Sequence, residues 1–69
     1  MVMTEVSRDY YANGKLCWEV EIDFHYIING FCRYYYDNGD LSWECYYMNG
    51  VREGEIIEHE LGRIIGLLA

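Results

Sequence analysis

The stretch "NGKLCWEVEIDFHYIING", residues 13–30, begins and ends on Asn-Gly and alternates apolar with polar side chains between those two dipeptides. Alternation with a period of two is typical of a β-strand with two different faces, because successive side chains point to opposite sides. Asn and Gly both tolerate positive φ, so Asn-Gly between such segments is a strong signal for a tight hairpin. The stretch therefore predicts one long strand between two hairpin turns.

The Asn-Gly dipeptide recurs along the chain. It occurs at residues 13–14, 29–30, 38–39 and 49–50, each time between segments rich in Tyr, Trp, Val and Ile. These turns predict consecutive antiparallel strands near residues 4–11, 15–28, 31–37, 40–48 and 51–59, with a short sixth segment after Gly62. We therefore expect an all-β fold, an antiparallel β-meander of five to six strands that forms one small domain over residues 1–69.

The hydrophobic pattern also predicts strand register, because a shift of one residue would move every side chain to the other face. A three-residue loop at 28–30 and a two-residue loop at 38–39 make one face apolar throughout. The pairs expected in this register are Tyr26 with Cys32, Phe24 with Tyr34, Tyr34 with Trp43, Cys32 with Cys45, and Arg33 with Glu44. A similar three-residue loop at 12–14 places Tyr10 opposite Leu16 and Val6 opposite Val20.

The second face of the predicted sheet is acidic. Glu19, Glu21 and Asp23 alternate along the long strand, so their carboxylates would lie about 6.6 Å apart in a row that faces water. The same register sends further acids and tyrosines of the later strands to this face. The candidate partner-binding residues are Glu19, Glu21, Asp23, His25, Tyr35, Glu44, Tyr46, Glu53 and Glu55.

The charge of the chain limits the partners it is suited to bind. Twelve acidic and five basic residues give a formal net charge of −7. This charge repels phosphates and anionic membranes and favours basic surfaces, so we expect no direct binding to nucleic acid or membranes. A hydrophobic share of 52% and an aromatic share of 17% predict a folded domain. The simplest interpretation of the acids is a solvated face that keeps a tyrosine-rich protein soluble.

Features of cellular location and metal binding are few. The start, "MVMTEVSRDYY", lacks a basic region followed by an apolar stretch, and the run "IIGLLA" is too short to span a bilayer, so we expect a cytoplasmic location. The three cysteines have no close spacing, which favours reduced, partly buried thiols over a disulfide framework. Neither zinc-site nor EF-hand spacing is present, and we predict no metal and no cofactor.

The sequence offers little support for catalysis. Nucleophilic catalysis needs Cys or Ser beside His with an orienting acid. Cys17 and His25 share a face of the predicted strand, but the eight-residue separation is too long for a hydrogen bond. No phosphate loop, nucleophile elbow or HExxH motif occurs, and a small meander has little concavity for a substrate. We predict that the protein is not an enzyme.

The chain contains an internal repeat. "YYANGKLCWE" (residues 10–19) aligns with "YYDNGDLSWE" (residues 35–44) at an offset of 25 residues, and "YIING" resembles "YYMNG". Too many positions match for chance in a short chain. The alignment predicts repeat copies near residues 10–34 and 35–58, with a degenerate third copy at 59–69 in which Gly62 and Ile64 take the Gly and Leu positions.

These residues resemble the MORN-type repeat, in the variant form of the bacterial YwqK-type antitoxin-like proteins. The second copy matches the pattern at Tyr35, Tyr36, Asn38, Gly39, Leu41, Glu44, Tyr47, Asn49, Gly50 and Gly54, and the first at Tyr10, Tyr11, Asn13, Gly14, Leu16 and Glu19. In the first copy the segment "VEIDFHYI" is longer than the usual link, and the glycine expected after "NGFCR" is missing. The resemblance implies a β-meander that is used for interaction and has no shared catalytic residue.

Three functions are compatible with these features. The first is a non-enzymatic protein-binding module that neutralises or inhibits a basic protein partner through its acidic, tyrosine-rich sheet face, as the antitoxin-like resemblance implies. The second is a phage-type anti-defence inhibitor, either anti-CRISPR or anti-restriction, whose acidic row mimics nucleic-acid phosphates and occupies a nucleic-acid-binding enzyme. The third is a self-assembling structural repeat, with homodimers formed through strand edges or the apolar end "RIIGLLA".

Overall fold

A computed structural model of the chain describes residues 3–60 and the backbone of residues 63–68. These residues form one antiparallel sheet in which the order of strands in space is their order in the chain, so the predicted β-meander is confirmed. The strands are β1 (Thr4–Tyr10), β2 (Leu16–Asp23), β3 (Ile28–Tyr35), β4 (Leu41–Met48), β5 (Val51–Glu60) and β6 (Arg63–Leu68). Over the described ranges there is no helix that is long and apolar enough to cross a membrane.

Two hairpin loops at the same end of the sheet have the same hydrogen bonds. In the first, the Tyr11 amide donates to the Lys15 carbonyl (2.8 Å) and the Gly14 amide donates back to the Tyr11 carbonyl (2.9 Å). The first of these bonds recurs 25 residues later, from the Tyr36 amide to the Asp40 carbonyl (2.8 Å). The predicted three-residue loop at 12–14 is confirmed. The predicted two-residue loop at 38–39 is wrong, because residue 37 also belongs to the loop.

A β-bulge beside the second loop preserves the predicted register in spite of the longer loop. The pairing shifts between Tyr34 and Tyr35, which absorbs the additional loop residue. Beyond the bulge, β3 and β4 are paired as the sequence predicts, with Tyr34 opposite Trp43, Cys32 opposite Cys45 and Arg33 opposite Glu44. An extra residue in one strand therefore compensates for an extra residue in the turn.

An equivalent bulge beside the first loop changes the pairing of β1. Tyr10 lies opposite Leu16 as predicted, but the register then shifts between Asp9 and Tyr10. Val6 consequently lies opposite Glu21, and the predicted pairing of Val6 with Val20 is wrong. A pattern of alternating residues cannot reveal such a bulge, because the bulge changes the parity of everything that follows it.

The turn between β2 and β3 lies four residues before its predicted place, at residues 24–26 instead of 28–30. The Asp23 amide donates to the Ile27 carbonyl (3.0 Å), and the Tyr26 amide donates to the Asp23 carbonyl (3.0 Å). This is the geometry of the other three-residue loops, with Tyr26 at φ 62° in the position that glycine takes in them. The predicted pairs Tyr26–Cys32 and Phe24–Tyr34 are therefore wrong, and β2 ends at residue 23 instead of 28.

The β2–β3 ladder instead pairs Val20 with Cys32 and Trp18 with Tyr34. Asn29 and Gly30, which were predicted to form the turn, lie within β3 at an irregularity opposite residue 21. Gly30 has φ 129°, so this Asn-Gly uses the tolerance of glycine for positive φ in a bulge and not in a hairpin turn.

The Asn49-Gly50 dipeptide forms a two-residue turn. Its φ angles are 50° and 84°, as in a type I′ hairpin, and Met48 lies opposite Val51 on the flanking strands. The sequence pattern left the register beyond this turn open, and the structure pairs Tyr46 with Glu53. Strand β6 confirms the expected sixth segment, while Gly62 of the proposed third repeat copy lies outside the described residues.

The described residues form a single layer with few buried side chains. The buried side chains are Cys45 (3% exposed), Asp23 (7%), Glu19 (8%) and Cys17 (9%), and none is below 2%. Half of this set is acidic, which contradicts the expectation that the carboxylates of β2 face water. Stability in such a sheet depends mainly on contacts between neighbouring strands on each face.

Candidate functional site

Two adjacent rows of directly paired residues cross the sheet from β1 to β5, and they lie on opposite faces because neighbouring residues of a strand alternate. The charged row consists of Arg8, Glu19, Arg33, Glu44 and Ile57. The aromatic row consists of Asp9, Trp18, Tyr34, Trp43 and Glu58. Most of the predicted partner-binding residues lie in or beside the charged row.

Glu19 is the centre of the charged row. Its carboxylate accepts a hydrogen bond from the Tyr35 hydroxyl (2.6 Å) and from Nε of Arg8 (3.2 Å), and it forms an ion pair with Arg33 (3.5 Å). Burial alone would raise the pKa of Glu19, but the Tyr35 hydrogen bond and the two arginines outweigh it and lower the pKa. The carboxylate is therefore ionised and fully engaged inside the sheet.

Tyr35 and Glu44 extend this network along β3 and β4. Burial and the hydrogen bond to the Glu19 carboxylate raise the pKa of Tyr35, so its hydroxyl stays protonated and donates. One carboxylate oxygen of Glu44 lies 2.9 Å from Nε2 of His59. Glu44 also lies directly opposite Arg33 in the β3–β4 ladder. Both predicted partner-binding residues thus have partners within the protein.

Glu21 holds β1 and β3 against β2. Its carboxylate accepts hydrogen bonds from the Thr4 hydroxyl and from the Phe31 amide (3.3 Å). The side chain lies across Gly30, where an added Cβ would come within 1.9 Å of the carboxylate oxygen. The Glu21 side chain therefore occupies the space that a side chain at residue 30 would need.

Asp23 is the last residue of β2 and His25 lies in the β2–β3 loop, so the two do not continue a flat acidic row. The Asp23 carboxylate accepts hydrogen bonds from the amides of His25 (2.9 Å) and Ile27 (3.1 Å), which is the geometry of an Asx turn. His25 is exposed, and its ring lies 4.3 Å from that of Phe24. Asp23 therefore terminates the strand.

Replacing Asp23 by Ala should destabilise the protein by about 1 kcal/mol, because the substitution removes both side-chain hydrogen bonds of the loop. Asp23→Asn keeps one acceptor oxygen and should cost clearly less. Urea unfolding followed by tryptophan fluorescence would measure both variants. Equal losses for Ala and Asn would show that the carboxylate oxygen does not hold the loop.

The remaining predicted partner-binding residues are exposed together on the β4–β5 hairpin. Tyr46 is 54% exposed and lies directly opposite Glu53, so their side chains share a face. Glu53 and Glu55 are both exposed on β5, on either side of Gly54. We call Tyr46, Glu53 and Glu55 the hairpin patch. Among the candidate residues, these three combine exposure with an acidic and aromatic character.

The aromatic row lies on the face that the predicted register makes apolar, and this face is an open surface. Tyr34 is 38% exposed, and its ring stacks on that of Trp43 with centroids 5.6 Å apart and planes inclined by 13°. A shallow depression of about 300 Å³ lies over the row, with Val20, Ile28 and Cys32 also lining it. The sequence did indicate an open face, because it predicts strands and turns but no helix, and a meander alone leaves both faces of its sheet uncovered.

Comparison with protein-family models, curated proteins and solved structures finds no significant match to this chain. Within the part of the chain that the structure describes, no three side chains of the His, Cys, Asp or Glu types come together as metal ligands.

Proposed function

We propose that the protein is a non-enzymatic binding module that neutralises or inhibits a basic protein partner, and that the hairpin patch supplies the contacts. The exposure of Tyr46 beside Glu53, on a chain of net charge −7, is the observation that carries the proposal. Tyrosine provides large contact area at low entropic cost, and exposed acids attract basic partners and accelerate association.

The positions of Glu19, Glu21 and Asp23 favour this patch over the acidic row as the contact surface. Glu19 and Asp23 are each less than 10% exposed and are hydrogen-bonded within the protein. A partner would have to compete with these bonds to reach the carboxylates. The alternative proposal of nucleic-acid mimicry needs a row of free carboxylates, so this geometry supports it less well. The proposed resemblance to MORN-type repeats is supported by the two equivalent loops 25 residues apart.

Affinity capture from a lysate of the encoding organism would test the proposal. The wild-type protein should retain a basic protein in a salt-sensitive manner, and Glu53→Gln combined with Glu55→Gln should weaken its binding by about tenfold or more. Adding Tyr46→Ala should weaken binding further, because an exposed tyrosine beside acids is a typical contact residue.

The control variant combines Asp37→Asn with Glu60→Gln, which removes the same number of charges at the other end of the sheet. It should bind nearly as well as the wild-type protein. Equal weakening by both pairs would attribute binding to net charge and contradict the patch. Displacement of the captured protein by DNA or RNA would support the mimic instead.

A further inference from the structure

The aromatic row has an unusual composition from one edge of the sheet toward the other. Its three central residues, Trp18, Tyr34 and Trp43, are aromatic, and its two outer residues, Asp9 and Glu58, are acidic. With about 4.8 Å between neighbouring strands, the aromatic part is about 10 Å wide and the carboxylates are about 19 Å apart. The row is therefore an apolar strip with a negative rim on each side.

The chain does not cover this strip with its own described residues. Strands β1 to β5 form one layer, and residues 63–68 continue that layer as β6 instead of folding across it. The strip is continuous with Val20 and Cys32 on the neighbouring rung of the ladder, so the apolar surface extends along the strands. Contiguous exposed apolar surfaces with polar rims are typical of protein interaction sites.

The dimensions and charges of the strip match one class of partner. An α-helix is about 10–12 Å across with its side chains, which is close to the width of the three aromatic strands. A helix lying along the strands would place its apolar face on the rings and its flanking side chains over β1 and β5. The negative rim requires those flanking side chains to be Lys or Arg.

We propose that the aromatic row is a docking site for a basic amphipathic helix of another protein. A second copy of this chain fits the strip poorly, because each copy would bring Asp9, Glu58 and a net charge of −7 against the same charges of the other. Arg52 is on this face but lies opposite Tyr47, four residues along β4 from Trp43. The site lies on the face opposite the Tyr46–Glu53 pair, so it goes beyond the proposed function and does not depend on it.

The chain carries its own reporter for this site, because its two tryptophans are both in the aromatic row. The probe is a synthetic helical peptide of about 18 residues, about 27 Å long, with Leu along one face and Lys on both flanks but no Trp or Tyr. Saturable binding should shift the protein's tryptophan emission to shorter wavelength. A peptide of the same composition, permuted so that it has no apolar face, should give no saturable shift.

Three protein variants separate docking from general charge attraction. Asp9→Asn combined with Glu58→Gln should weaken binding of the peptide by about tenfold, because it removes the rim carboxylates. Glu53→Gln combined with Glu55→Gln removes the same charge and should leave the affinity unchanged. Tyr34→Lys should abolish binding while the far-ultraviolet circular dichroism stays that of the sheet.

The proposal is overturned if the permuted peptide binds equally well, if both charge pairs weaken binding equally, or if no emission shift occurs. A shift that depends on protein concentration alone, with a doubled mass in light scattering, would assign the strip to a second copy and overturn it as well. Failure of this experiment leaves the hairpin patch untouched, since the patch is tested with Glu53, Glu55 and Tyr46.

Discussion

Replacing Gly30 by Ala should destabilise the protein by about 2–4 kcal/mol, the largest effect that we expect from a single methyl group in this chain. Two costs add at this position. Gly30 has φ 129°, where L-residues are strained, and an added Cβ would lie 1.9 Å from Oε1 and 2.9 Å from Cβ of Glu21. The far end of the Glu21 side chain is able to move, but it then loses its hydrogen bonds to Thr4 and Phe31.

Gly14→Ala is the matched control for the Gly30 prediction. Gly14 also has a positive φ, 87°, but an added Cβ there meets nothing within 4 Å. It should therefore show only the backbone strain, about 1 kcal/mol. Thermal unfolding would measure the difference, and a domain of this size loses about 4–8 °C of Tm per kcal/mol. Equal losses for the two glycines would show that Glu21 does not lie against residue 30.

Replacing Glu19 by Gln should destabilise the protein by about 1–3 kcal/mol at neutral pH. The substitution keeps the shape of the side chain but leaves Arg8 and Arg33 without the carboxylate between them. Both arginines are partly exposed, and solvent screens part of the loss, so the expected cost is below that of breaking a fully buried ion pair. Glu55→Gln, at an exposed position, should change stability by no more than about 0.5 kcal/mol.

The stability that Glu19 contributes should depend on pH. The pKa of Glu19 is lower in the folded protein than its ordinary value of 4.5, so folding favours the ionised form. The contribution is therefore fully present above pH 4.5 and is lost as the pH falls through the lower, folded-state pKa. The difference between wild type and Glu19→Gln should be constant from about pH 6 to 8 and should shrink below about pH 4.5. A difference that is unchanged at about pH 3 would contradict the ionised network.

Local turn chemistry explains how much of the fold could be predicted from the sequence. The Asn-Gly signals correctly predicted a meander, the first loop and a hairpin turn at residues 49–50. The β2–β3 turn could not be predicted in the same way, because its positive-φ residue is Tyr26 and not glycine. The Asx turn of Asp23 supports that conformation through two side-chain hydrogen bonds. The dipeptide at 29–30 was then free to form a bulge instead.

The site was harder to predict than the fold, because a strand pattern assigns a face but not its exposure. Glu19 lies on the face that the alternation indicates, yet Arg8 and Arg33 flank it in register and bury it. The Arg33–Glu44 pair was predicted from the same pattern. The Arg8–Glu19 pair was not, because the bulge beside Tyr10 shifts the register of the β1–β2 ladder. The predicted register makes the aromatic face apolar but does not reveal that the described chain has no second layer to bury it.

Calorimetric titration of the captured basic partner into two variants at one salt concentration tests the central claim most directly. That claim is that the row of β2 acids stabilises the sheet, whereas the hairpin patch binds the partner. Glu19→Gln should bind the partner with wild-type affinity, and Glu53→Gln combined with Glu55→Gln should lose about tenfold or more. The opposite result, lost affinity in Glu19→Gln and unchanged affinity in the Glu53 and Glu55 pair, would contradict this division of roles.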